Sequence, residues 1–116
     1  MLHLGQTFFN KPAPDVPRHC WIILSRPEAG PKVAIVNLSS TESDRCTHNA
    51  VAIERSELVV IGHRSVVRCD KVRLASVAEL GAALTRKLIE ASKDTTPEVL
   101  RRVQLAVAAC ELVPND

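Results

Sequence analysis

Arg18-His-Cys-Trp-Ile-Ile-Leu-Ser25 and, eight residues later, Val33-Ala-Ile-Val-Asn-Leu-Ser-Ser40 decide how this chain is read. Each is a short apolar run rich in β-branched residues and ending in hydroxyl side chains, the composition of a buried strand. Between them Pro27 to Pro31, with Gly30, reads as a hairpin connection. The pair leaves Arg18, His19, Ser39 and Ser40 at strand boundaries, where polar groups can converge.

Working outward, further β-branched runs lie at Gly5 to Phe9, Ala50 to Ile53 and Ser65 to Leu74, each bounded by turn signals. Lys11-Pro-Ala-Pro-Asp-Val-Pro17 cannot be a central strand, because three prolines remove three backbone donors. It reads as a loop over the sheet, as does the polar stretch from Ser39 to His48. The pattern predicts an antiparallel sheet of five or six strands, strongly bent, over residues 5–75, in the manner of a small barrel or sandwich.

Past residue 75 the apolar period lengthens from two to about 3.6. Val77, Leu80, Leu84 and Leu88 share one face, and Ser76 with Glu79 forms a capping-box pattern, which predicts a helix over 76–92. Thr96-Pro97 opens a second helix over 97–111, since Thr caps and Pro suits the first turn; Leu100, Val103, Val107 and Cys110 mark its buried side. Lys93-Asp-Thr-Thr is the turn between the two. The expected class is mainly β with two C-terminal helices, in a single domain over 1–116.

Composition narrows the function. The chain has 116 residues, 46% of them apolar, enough for one core. Fifteen Lys and Arg against thirteen Asp and Glu leave a net charge of only +2, so a nucleic-acid site would be a local patch rather than a basic face. No charged leader with an apolar core opens the chain, and the longest apolar runs are too short for a bilayer, which predicts a cytoplasmic protein with no membrane partner. Cys20, Cys46, Cys69 and Cys110 are widely spaced, as expected for reduced, mostly buried thiols. Neither His19-Cys20 nor Cys46-Thr-His48 has metal-site spacing, so no metal and no cofactor are expected.

The order Gly5-Gln-Thr-Phe-Phe, Arg18-His-Cys-Trp-Ile-Ile-Leu-Ser, Val33-Ala-Ile-Val-Asn-Leu-Ser-Ser and Arg64-Ser-Val-Val-Arg-Cys-Asp-Lys-Val-Arg-Leu resembles the MazF/PemK-like toxins of toxin-antitoxin modules. In that family a strand opening Gly-Asp leads to an Arg-Pro-x-x-Val-Leu-Ser strand. A strand ending in a Thr or Ser pair follows, and then one with a polar Gln/Lys-Val motif. The resemblance spans roughly residues 5–75. It implies an SH3-like barrel, commonly a homodimer, that acts as a metal-independent endoribonuclease on single-stranded RNA and is held by a cognate antitoxin-like protein. Such cleavage uses the RNA 2′-hydroxyl as nucleophile and needs a base, an acid and cationic stabilisation of the phosphorane.

Carried over by position, the family's arginine falls on His19 and its hydroxyl pair on Ser39 and Ser40, which makes these three the candidate catalytic residues. Arg18, His63, Arg64 and Arg68 are the candidate RNA-binding residues. Two departures stand out: His19 replaces an arginine and Cys20 replaces the following proline. Arginine clamps phosphate through two parallel bonds, whereas histidine is the better proton-transfer group near neutral pH.

Each candidate also has an ordinary reading. His19 can satisfy local hydrogen bonds, and Ser39 and Ser40 can close a strand and cap a turn. The cations of the 63–73 segment can be a solvated face, and alternation along one unbroken strand would split Arg68 from Lys71 and Arg73. Trp21, the only tryptophan in a chain with 3% aromatic residues, reads as core rather than as a stacking platform. Leu84, Leu88, Leu100 and Val107 offer more apolar surface than so small a sheet covers, which predicts a dimer. Three function classes follow: a toxin-like ribonuclease, a noncatalytic protein-interaction module on the same barrel, and, ranked last, a His/Cys metal protein.

Overall fold

The computed structural model describes residues 2–11, 14–15, 19–40, 50–53, 65–68 and 72–112. Its strands are β1 (Thr7–Asn10), β2 (Cys20–Ile23), β3 (Lys32–Ser40), β4 (Ala50–Ile53), β5 (Ser65–Arg68), β6 (Arg73–Ser76) and β7 (Ile89–Ala91), with helices α1 (Val77–Thr85) and α2 (Pro97–Leu112).

The β2–β3 hairpin forms as its sequence predicts. Trp21 stands opposite Asn37, Ile22 opposite Val36 and Ile23 opposite Ile35. Beyond β2 the ladder continues through the Leu24 amide to the Ala34 carbonyl, and the Ser25 hydroxyl accepts from the Ala34 amide. β3 has nine residues, so one of its edges accommodates two strands in succession: β6 along Lys32 to Ile35 and β5 along Leu38 to Ser40. The order is β4-β5-β3-β2-β1-β7 with β6 branching from β3, and all pairings are antiparallel. Among the described residues no ladder joins β4 to β7. Where a closed barrel was expected there is an open sheet with a helix on each face.

Alternation divides the core between those faces. Cys20, Ile22, Leu24, Val36, Leu38 and Val67 pack with Val99 and Val103 of α2. Phe8, Ile23, Val33 and Ile35 pack on the other face with Leu2, and Val77, Leu80 and Leu84 of α1 close over them. The α2 cap is the one predicted, with the Thr96 hydroxyl accepting from the Val99 amide. Ser76 likewise accepts from the Glu79 amide at the start of α1.

The expected helix over 76–92 is corrected at its C-terminal end. α1 stops at Thr85 because Lys87 turns left-handed at φ 60°. The Lys87 amide then donates to the Leu84 carbonyl and the Leu88 amide to the Ala83 carbonyl. These two bonds are a Schellman ending, usually marked by glycine. Ile89–Ala91 then pairs with β1, and Leu88, predicted on the buried face, is 56% exposed. The 65–74 run is likewise two strands rather than one, and Ser39 and Ser40 lie inside β3 rather than in the following loop.

β7 and the segment after it tie the N-terminus down. The Gly5 carbonyl accepts from both the amide (2.9 Å) and the hydroxyl (3.1 Å) of Thr95. Gly5 has φ +83°, and a β-carbon there would stand 3.3 Å from both Leu100 Cδ2 and Thr95 Oγ1. Gly5→Ala is therefore expected to lower stability by about 1–2 kcal/mol, the cost of a left-handed non-glycine residue, as read by urea titration.

Candidate functional site

The site is built on the face of the sheet that carries Phe8 and Trp21, which share a cluster with Val77, Leu80 and Leu84 of α1. Asn10, the last residue of β1, organises it. Its Oδ1 accepts from the His19 backbone amide at 2.9 Å and from Trp21 Nε1–H at 3.2 Å, which uses both lone pairs of one amide oxygen. Phe8 lies opposite Trp21 in the β1–β2 ladder. The two rings are nearly parallel, at 8°, with centroids 6.3 Å apart. Arg73 of β6 sets its guanidinium carbon 5.5 Å from the Trp21 ring centroid, a cation–π geometry. Trp21 is half-buried and Arg73 is exposed.

The β1–β2 and β2–β3 ladders match Phe8 and Asn37 to Trp21. The Asn10 side chain holds the His19 backbone amide, and the β2–β3 pairs run from Ile23–Ile35 to Trp21–Asn37. His19 itself is half-buried. Arg18, His63 and Arg64 lie outside the described residues.

In β5, Val67 is paired with Leu38 and packs in the α2 core. In β6, Arg73 stands opposite Ile35, whose side chain belongs to the α1 face.

Asn10 and Arg73 are the residues that sequence reading left out of the site; Trp21, read as core, does pack against the Phe8, Ile23 and Ile35 cluster while staying half-buried. Nothing local marks Asn10 beyond its place between an apolar strand and a proline-rich connection. Two apolar grooves, of about 370 and 350 Å³, lie elsewhere. One is lined by Leu2, Pro27 and Val77, the other by Leu24, Leu74 and Val107, and no candidate residue is in either. Among the described residues no three His, Cys, Asp or Glu side chains come together, and no helix is long and apolar enough to cross a membrane.

The sequence matches no protein-family model and no curated protein. The fold does have a solved counterpart. A chain of the MazE-MazF complex from Deinococcus radiodurans superposes with a TM-score of 0.63 over 97% of this chain and 98% of that one, at 14% sequence identity. The architecture is thus MazF-like, the fold that the strand order suggested.

Proposed function

We propose that this chain is the toxin-like member of a toxin–antitoxin module, an endoribonuclease that cleaves single-stranded RNA without a metal ion. The observation that supports the reading is the MazF-like fold over 97% of the chain, taken with the sequence resemblance that carries the family's arginine and hydroxyl pair onto His19, Ser39 and Ser40. The solved counterpart is a complex with MazE, which supports an antitoxin-like protein as this chain's partner.

In the proposed reaction the RNA 2′-oxygen attacks the adjacent phosphorus, forming the P–O2′ bond as the P–O5′ bond breaks. His19 takes the 2′-hydroxyl proton, and a proton is returned to the departing 5′-oxygen. Ser39 donates a hydrogen bond to a non-bridging oxygen of the phosphorane. Arg68, with Arg18, His63 and Arg64, holds the flanking phosphates. Ser40, the second residue of the hydroxyl pair, is the alternative donor for the role given to Ser39. The working unit is a homodimer; Leu74 at 71% and Leu105 at 60% exposure are the apolar side chains it would cover.

Incubation with a panel of single-stranded RNAs in the presence of EDTA tests the reading. Fragments with 2′,3′-cyclic phosphate and 5′-hydroxyl ends are expected, at a rate the chelator leaves unchanged, from a species of about twice 12.7 kDa by light scattering. No cleavage across the panel would leave the chain as a noncatalytic interaction module, the reading that the replacement of the family's arginine by His19 favours.

A further inference from the structure

We propose that Trp21 and Arg73 form a stacking subsite for one unpaired nucleobase. The base lies on the indole and the guanidinium takes the adjoining phosphate. The inference rests on the reading of this chain as a single-stranded RNA binder, and is independent of whether it cleaves.

Three observations carry it. First, the indole plane is set in advance. Its only hydrogen-bond donor is engaged by Asn10 Oδ1 at 3.2 Å, and Phe8 lies nearly parallel beside it. A ring fixed before binding loses little freedom on meeting a ligand. Second, the Trp21 ring stays half-buried while the next two residues of β2, Ile22 and Ile23, are fully buried. With its N–H engaged, what Trp21 offers a ligand is an aromatic face, which suits a flat partner. Third, the exposed guanidinium of Arg73 lies over the ring, and no carboxylate pairs it among the described residues, so an incoming base can displace it from the indole toward the adjoining phosphate. A guanidinium is planar and weakly hydrated, so it stacks readily and also binds phosphate through two parallel bonds.

A nucleotide uses both halves of this arrangement. An acidic peptide would satisfy the guanidinium and leave the indole uncovered. Asn10 also holds the His19 backbone amide, so the subsite adjoins the proposed cleavage position and would seat a base next to the scissile linkage. In a chain of net charge +2, one stacked base with one paired phosphate is a form of recognition that needs no broad basic face.

Trp21 is the sole tryptophan, so its fluorescence reports on the subsite alone. Short 2′-O-methyl RNA oligomers, which lack the nucleophilic hydroxyl, should quench it saturably. An abasic backbone of the same length should bind more weakly and leave the emission unchanged. By anisotropy of a labelled oligomer, Trp21→Leu should weaken binding on the order of 5- to 100-fold, the range of one base–aromatic stack, and Trp21→Phe should retain part of the affinity. Arg73→Gln alters only an exposed side chain. It should weaken binding to all sequences and reduce the salt dependence by about the 0.7 slope units of one phosphate contact to a single strand.

Quenching in a protein that cleaves nothing would sink the proposed nuclease while leaving this subsite standing. Cleavage without quenching would overturn the subsite alone. The inference is also overturned if Trp21→Phe and Arg73→Gln both bind like wild type, or if oligoglutamate quenches as well as the oligomers, which would mark a protein-binding face.

Discussion

His19→Ala is expected to reduce cleavage of single-stranded RNA by about 10²- to 10⁴-fold, the usual contribution of a positioned proton-transfer group, with circular dichroism and thermal midpoint close to wild type. The fold should survive because the hydrogen bond at this position is made by the backbone amide of residue 19 to Asn10, and any residue except proline retains that donor. His19→Arg separates two roles. Arginine supplies a permanent charge and a bidentate phosphate clamp and does not exchange protons near neutral pH. Retained or increased activity would assign the position to phosphate stabilisation, and loss as severe as in His19→Ala would assign it to proton transfer. Unchanged cleavage in both variants would remove residue 19 from the chemistry.

Ile22→Ala should be the most damaging of the simple core truncations, lowering unfolding free energy by about 2–5 kcal/mol. Ile22 is fully buried, sits between Thr7 of β1 and Val36 of β3, and belongs to the cluster that seats α2. Strands close it in on both sides, so the surroundings have little room to collapse into the cavity. The urea midpoint should fall with the slope m unchanged. A loss below about 0.5 kcal/mol, the scale of a surface substitution, would contradict this account of the core.

What could be read from the chain followed the reach of each signal. β2, β4 and α2 stand close to where composition and capping residues put them, because the signals for each are contiguous: the Cys20–Ile23 run, the Ala50–Ile53 run and the Thr96-Pro97 start. The end of α1 was not readable, because the left-handed residue that terminates it is Lys87 and not glycine. A continuing apolar period through Leu88 argued for more helix. β7 was hidden for a related reason. Three residues, Ile89–Ala91, carry too little pattern to announce a strand, and they become one because the free edge of β1 is there to pair with them.

The candidate site divides in the same way. His19 and the hydroxyl pair were visible through their positions at the ends of two strong strands. Arg73 reaches Trp21 only through the pairing of β6 with β3. Trp21 was legible as a residue that packs on the core because it lies in an apolar run; the partners of its polar tip and ring face are Asn10 and Arg73, eleven residues before it and fifty-two after it.

From sequence alone came an antiparallel, mainly β chain with two C-terminal helices, the β2–β3 hairpin and the strand order that resembles the MazF/PemK-like toxins. All of these rest on patterns of hydrophobicity, turn residues and caps that act over a few neighbouring residues. Only the tertiary structure decided that the sheet is open among its described strands, that the chain returns as β7 to cover β1, and that Asn10, Trp21 and Arg73 form one unit beside His19. Those outcomes depend on strand pairing and its register. A ladder can form between distant segments in several phases, and a shift of one residue moves every side chain to the other face. The phase adopted is the one that buries Ile22 and Val36 under α2 and Ile23 and Ile35 under α1 at the same time, a condition set by both helices and the whole sheet together.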